Sequence, residues 1–199
     1  LFIQAAVNSF DSTMVSGNAA AANTDTIIYN IMMAFYTACS TFMGQNWGAG
    51  HKKRMMDSYL ISLFYAFAVA AVLGVAFYFA GRPFLYVFTN SEDVVEAGMQ
   101  RMKIMCFSYA ISAFMDNTIA ACRGLGRTIV PTVVVIMGSC VFRVIWVYTI
   151  FAHFHTIPSL YLLYPCSWAL TAAAEIAYFV FAYRQSVQRL QQHDALARL

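Results

Sequence analysis

The sequence predicts an all-α polytopic membrane protein, with five full transmembrane helices and a cut one before them. Three observations carry that fold class. Of the 199 residues, 61% are hydrophobic and only 11% are charged, where an average soluble domain is about 25% charged. Five apolar runs approach or exceed the roughly 20 residues that a bilayer crossing needs. Apart from Arg143, the basic residues gather at the ends of those runs rather than inside them. A soluble chain could not hide so much apolar surface.

The first segment, LFIQAAVNSF at about 1–10, has half the length of a span. No initiator methionine precedes it, and it lacks the charged start and small-residue cleavage pattern of a signal peptide. It reads as the outer end of a cut helix, and the chain as a fragment of a longer membrane protein. A second helix over 18–46 begins at Gly17 or Asn18, carries the uncharged run TIIYNIMMAFYTACSTFM (26–43), and closes on Gly44 to Gly50. The third, 54–80, is uncharged from Ser58 to Ala80 and is stopped by GRP at 81–83, with FLYVFT (84–89) as a short interfacial helix. Glu92, Asp93 and Glu96 favour the start of the fourth, 93–122, through the helix dipole, and GLG at 124–126 ends it. Pro131 suits the first turn of the fifth, 128–153. Pro158 opens the sixth, 159–184, and Pro165 should kink it, as membrane helices permit. A tail, 185–199, follows; its VQRLQQHDALARL stretch reads either as a short amphipathic surface helix or as disorder.

The connections differ in charge. One side carries Lys52, Lys53, Arg54, Arg123, Arg127, Arg184, Arg189 and Arg198. The other carries Asp11, Glu92, Asp93 and Glu96, with Arg82 as its clear loop cation and Arg101 and Lys103 at the outer start of the fourth span. The positive-inside rule puts the first set, and with it the C-terminus, in the cytoplasm. A cytoplasmic (inner) membrane location follows.

Several function classes drop out. The net charge of +3 sits at helix ends and is no nucleic-acid signal. The five cysteines, Cys39, Cys106, Cys122, Cys140 and Cys166, are odd in number, scattered, and inside apolar runs, which argues against a disulfide framework or a zinc site. His153 and His155 form an HxH with no nearby Cys or acid to complete a metal set. No Ser-His-Asp spacing, HExxH, paired CxxC or kinase motif is present, so no enzyme is expected and no cofactor. The glycine-rich GQNWGAG (44–50) before HKKR lacks both the GK[ST] of a phosphate loop and the GxGxxG order of a dinucleotide loop. Its glycines read as a helix stop and its charges as a topology anchor.

Ionisable groups inside a membrane are expensive, and each is a functional hypothesis. At about 1.5 Å per residue, Asp116 and Glu175 share a depth about two turns from the basic end of their helices. Either carboxylate is a candidate for proton or sodium coupling; Asn117 and Thr118 offer neighbouring oxygens to a sodium ion. A structural reading stands beside this one, since the alanines 172–174 imply a tight contact that could bury Glu175 as a plain packing group. Asp25 is a third coupling candidate. Arg143 lies at a depth comparable to Asp25, and the two are expected to form a structural ion pair. Asn23, Tyr29 and Asn30 share or border one face of the second helix. With Asn117 they are candidate lining for an aqueous cavity, or partners in interhelical hydrogen bonds.

Five stretches in fixed order resemble the multidrug and toxic compound extrusion (MATE) transporters: SGNAAAANTD (16–25), FMGQNWGAGHKKR (42–54), RGLGRTIVP (123–131), FRVIWVYTIF (142–151) and LYLLYPCSWALT (160–171). The resemblance covers nearly the whole chain except the last fifteen or so residues, and matches the second half of such a protein. It implies twelve helices in two six-helix lobes related by an axis along the membrane normal, with a cavity between them and alternating access by rocking. It implies efflux of small organic cations and drugs in exchange for sodium or protons, and as partners the lipid bilayer and a missing N-terminal lobe. The resemblance implies an acid on the tenth helix, the helix that carries Asp116 here; in some members the acid instead follows the RG motif, where this sequence has Arg127. Two rival readings remain: a flippase of the same superfamily moving lipid-linked oligosaccharides, and a non-functional truncated fragment.

Overall fold

Among the described residues, five helices are long and apolar enough to cross a membrane, by length and composition. A computed structural model describes residues 2–196, apart from the side chains of 193 and 194. Leu1 of the first segment and Arg198 of the expected cytoplasmic set lie outside the described residues. The elements are α1 (Phe2–Val7), α2 (Ser12–Gly48), α3 (Lys52–Leu85), α4 (Glu92–Gly124), α5 (Ile129–Phe154), α6 (Ile157–Tyr161) and α7 (Leu163–Leu196). No strand occurs among the described residues. The loops around Gly50 and Gly126 form a basic end of the bundle, and those around Asp11, Thr89 and Thr156 form the opposite, acidic end.

Helix ends follow local chemistry. α2 starts six residues before the expected boundary, because Asp11 caps it by accepting from the Met14 backbone N–H at 2.8 Å. GAG and GLG are twin stops. After α2, Gly50 adopts φ 74°, its N–H reaches the Trp47 carbonyl at 3.1 Å, and the His51 N–H reaches that of Asn46 at 2.9 Å. After α4, Gly126 adopts φ 73° and donates to Arg123, while Arg127 donates to Cys122, both at 2.9 Å. Both are Schellman closures, which need a residue free to enter the left-handed region. GRP does not stop α3: the helix runs through Pro83 to Leu85. The expected interfacial helix at 84–89 is therefore the last turn of α3 and the turn after it.

Two further differences lie in the last two spans. α5 holds two π-helical stretches, Ile136–Val141 and Val147–Phe151, with the Phe142 N–H bonded five residues back to Met137. Such insertions re-aim the side chains that follow them. Pro165 has no N–H for the Tyr161 carbonyl, and the last span breaks there into α6 and α7. Thr156 and Ser159 cap α6 reciprocally, so the span starts at Ile157. α7 then continues as one helix through Leu196, and residues 185–196 of the expected tail are its last turns.

α4 is the centre of the bundle. Two thirds (67%) of its most apolar stretch is buried, against 6% for α5. Ile28, Met32, Tyr36, Cys39 and Met43 repeat at helical spacing along α2 and join one core with Tyr59, Ala66 and Ala70 of α3 and Met105, Tyr109, Ala113 and Ala120 of α4. The opposite side of α3 leaves Phe64, Val72 and Phe79 exposed, the surface a lipid-facing helix presents.

Between helices of equal apolarity to lipid, association rests on close backbone approach. Ala66, Ala70 and Gly74 give α3 a small residue every four positions. A Cβ on Gly74 would lie 2.1 Å from the Cys106 carbonyl oxygen of α4, which is backbone and cannot turn aside. Gly74→Ala is expected to force α3 and α4 apart and cost about 1–3 kcal/mol, the usual range for overpacking. A thermal melt of the detergent-solubilised protein checks this; an unchanged melt would show that the contact yields freely.

Candidate functional site

α2, α4, α5 and α7 enclose two adjoining cavities. The one toward the basic end is about 480 Å³, with Tyr36, Thr37, Ser40, Thr41, Arg123 and Thr132 among its lining. The other, toward the acidic end, is about 470 Å³ and carries Asp25, Asn30, Tyr109, Ser112, Arg143, Tyr164 and Trp168. Only Tyr29 and Asp116 line both. Asp116 is half-buried on α4, and among the described residues it makes no side-chain hydrogen bond or ion pair. It is thus a carboxylate at the junction of two polar spaces, with its lone pairs free.

The neighbours of Asp116 in sequence do not join it. Asn117 is fully buried and points at α3: its Nδ2 donates to the Tyr59 carbonyl at 3.2 Å, and its Oδ1 accepts from Ser62 Oγ at 2.8 Å. Thr118 also faces α3, 2.9 Å from the Tyr59 hydroxyl. One residue along a helix is about 100° of rotation, so flanking an inward acid turns both away from it. Asn117 belongs to the α3–α4 packing, not to the cavity lining expected of it.

Tyr29 and Asn30 do line the cavity. Asn23 lies outside both linings and donates back to its own helix, to the Ala20 carbonyl at 3.0 Å. The expected pair of Arg143 and Asp25 is replaced. Asp25 is bound by Arg101 and by the Tyr109 hydroxyl. Arg101, read from the sequence as lying at the outer start of its span, is buried: its side chain is 6% exposed. It also donates to the Asn18 carbonyl at 3.2 Å and sits over the Tyr161 ring; the Tyr161 hydroxyl donates to Asn18 Oδ1 at 3.0 Å. This network ties α2, α4 and α6 together at the acidic end. Its one signal in the sequence is the SGNAAAANTD stretch, which supplies both Asn18 and Asp25.

Arg143 instead donates from Nε to Ser167 Oγ at 3.0 Å. Its guanidinium carbon lies 4.8 Å from the Tyr164 ring centre and 6.0 Å from that of Trp168. No carboxylate pairs with it among the described residues.

Glu175 lies in neither cavity. It is fully buried, with both carboxyl oxygens unpartnered among the described residues. On α7 it falls between Ala172, packed on Met115 and Ile119 of α4, and Phe179, whose ring centre is 4.4 Å from that of Tyr59. A buried polar group without a partner is a net cost, and an apolar replacement of like size is often neutral or better. Glu175→Met is therefore expected to melt at or above the parent temperature. A melt below the parent temperature would show that the carboxyl contributes to the fold.

His153 and His155 also separate from any site. His155 is the left-handed residue after α5, with φ 45°, and its ring stacks on Phe151. No group of three metal-ligating side chains occurs among the described residues.

Membrane-length helices around a polar, acid-bearing pair of cavities define a multi-pass membrane protein. Comparison with known proteins makes this specific. Residues 1–149 match the MatE family model, and the chain belongs to that family, one of transporters rather than enzymes. It is 26% identical over 98 residues to Protein DETOXIFICATION 8 of Arabidopsis thaliana, covering 49% of this chain and 20% of that protein. It is 31% identical over 107 residues to the Probable multidrug resistance protein YpnP of Bacillus subtilis (strain 168), covering 54% of this chain and 24% of that one. A MOP superfamily transporter of Pyrococcus furiosus Vc1 (DSM3638) has the same fold, with a TM-score of 0.81 at 17% identity over 96% of this chain and 42% of that structure. The chain thus spans less than half the length of the proteins it matches.

Proposed function

We propose that this chain forms the C-terminal lobe of a secondary multidrug efflux transporter. In that role it exchanges small organic cations for sodium or protons across the cytoplasmic membrane, with its basic end in the cytoplasm and an N-terminal lobe as partner. The observation that carries the reading is Asp116, an unpartnered carboxylate reached from two cavities. A group that must meet an ion from one side and release it to the other needs that placement. Cargo and ion then oppose each other: loading Asp116 weakens cation binding in the shared cavity, and by linkage the cargo weakens ion binding equally.

The cavity's charge does not suit an anionic cargo. Asp25 is neutralised by Arg101, and Asp116 stands against Arg143, the cation among the described lining residues, so the wall has no excess of positive charge, whereas a carrier of anionic lipid-linked sugars would need a cationic wall. The test is dye efflux from vesicles holding the complete gene product, with sodium and proton gradients collapsed separately. Loss of efflux with one gradient identifies the coupling ion. Efflux indifferent to both would overturn the exchange mechanism.

A further inference from the structure

Arg143 is the one cation on the wall of the cavity that also holds Asp25 and Asp116. An arginine at membrane depth ordinarily takes a carboxylate partner. Arg143 takes none among the described residues, although two acids line the same cavity. It lies against the ring faces of Tyr164 and Trp168, steered by its Nε bond to Ser167. The Ser167 hydroxyl in turn donates to the Tyr164 carbonyl at 3.1 Å, so the anchor and the ring belong to one turn of α7.

An aromatic face in a desolvated cavity is where a flat or bulky organic cation binds best. Here that face already holds a cation. We propose that Arg143 is a resident competitor: it occupies the aromatic cation site of the empty protein, and an organic cation binds by displacing it from Tyr164 and Trp168. This deepens the efflux reading and rests on it.

Displacement has a direction. Two like charges do not share one ring face. Asp25 is already held by Arg101 and Tyr109. Asp116 has no hydrogen-bond or ion-pair partner among the described residues, which makes it the carboxylate open to a displaced guanidinium. A positive charge arriving there opposes whatever ion Asp116 carries. Cargo binding thus drives off the coupling ion through Arg143, without the cargo touching Asp116.

The experiment uses the complete gene product in lipid nanodiscs, with tetraphenylphosphonium as the probe. Arg143→Met and Arg143→Gln are each expected to bind it about tenfold more tightly, the scale of one cation–π contact freed for the probe. Arg143→Lys, which keeps a cation on the site, is expected to bind like wild type. Methylguanidinium should compete with the probe in Arg143→Met and not in wild type. Adding Tyr164→Leu to Arg143→Met should cancel the gain. Probe-driven release of the coupling ion should fall in Arg143→Met.

Unchanged or weaker binding in both neutral variants overturns the proposal. So does a gain that survives Tyr164→Leu, because only the net charge of the cavity would then matter. Two neutral variants, each checked for a monodisperse elution profile, guard against a folding failure in one. If wild type exchanges organic cations while the variants bind as it does, this inference alone fails. If wild type neither binds the probe nor shows ion-driven efflux, the efflux reading fails first and takes this one with it.

Discussion

Asp25→Asn is expected to destabilise the folded protein by about 3 kcal/mol, the lower end of the range for breaking a buried ion pair. The charge it strands is Arg101, whose side chain is 6% exposed and whose Nε already lacks a partner. Asparagine keeps the shape of Asp25 and still accepts one bond, but it supplies no countercharge. The figure sits low in the range because the Asp25 side chain is 33% exposed and partly hydrated. Arg101→Met should cost less, since Asp25 retains Tyr109 and the cavity. In the double variant neither charge is left over, and the melting temperature should recover part of the loss. Full additivity of the two single losses would mean that the residues do not act as a pair.

Asp116→Asn is expected to do the opposite: abolish ion-driven efflux and leave stability nearly untouched. With no side-chain bond or ion pair to lose among the described residues, the melt should stay within about 0.5 kcal/mol of the parent, as for a substitution away from any network. Efflux should fall to the level of membranes lacking the protein, because the amide cannot carry a proton and binds sodium poorly. Retained, gradient-dependent efflux would remove Asp116 from the mechanism. Together the two variants separate a carboxylate that holds the fold from one that the fold leaves free.

Much of the fold was legible because lipid demands long apolar runs, and Gly50, Gly126 and Pro165 mark where they end or break. The two π-helical stretches were not legible: they add a residue to the turn without any residue type to announce it. For the site, sequence position gave depth but not direction around the helix. Depth placed Arg143 beside Asp25, whereas the actual partner, Arg101, comes from α4 and looked from its position like an interfacial cation. Asn117 was expected in the cavity with Asp116 although one step along a helix is about 100° of rotation, and it faces α3; that difference was legible in the sequence, and the expectation missed it. Asn23 and Asn30 were legible as neighbours in angle, but not that Asn23 would satisfy its amide on its own helix. Glu175 was legible as a buried acid; its lack of any bonding partner was not, since that depends on what α4 opposes to it.

The two cavities adjoin where Tyr29 and Asp116 line both. On the proposed exchange reading, what stands at that junction would set how leaky the carrier is. A thick plug of packed helix would hold solutes back at every stage of a cycle. If only a phenol ring and a carboxyl stand at the junction, slippage, in which an ion crosses without cargo, would be governed by side-chain rotation and not by the slower movement of whole helices. The stoichiometry of such a carrier would then be a kinetic quantity, tightest when cargo fills the cavity and steadies the ring.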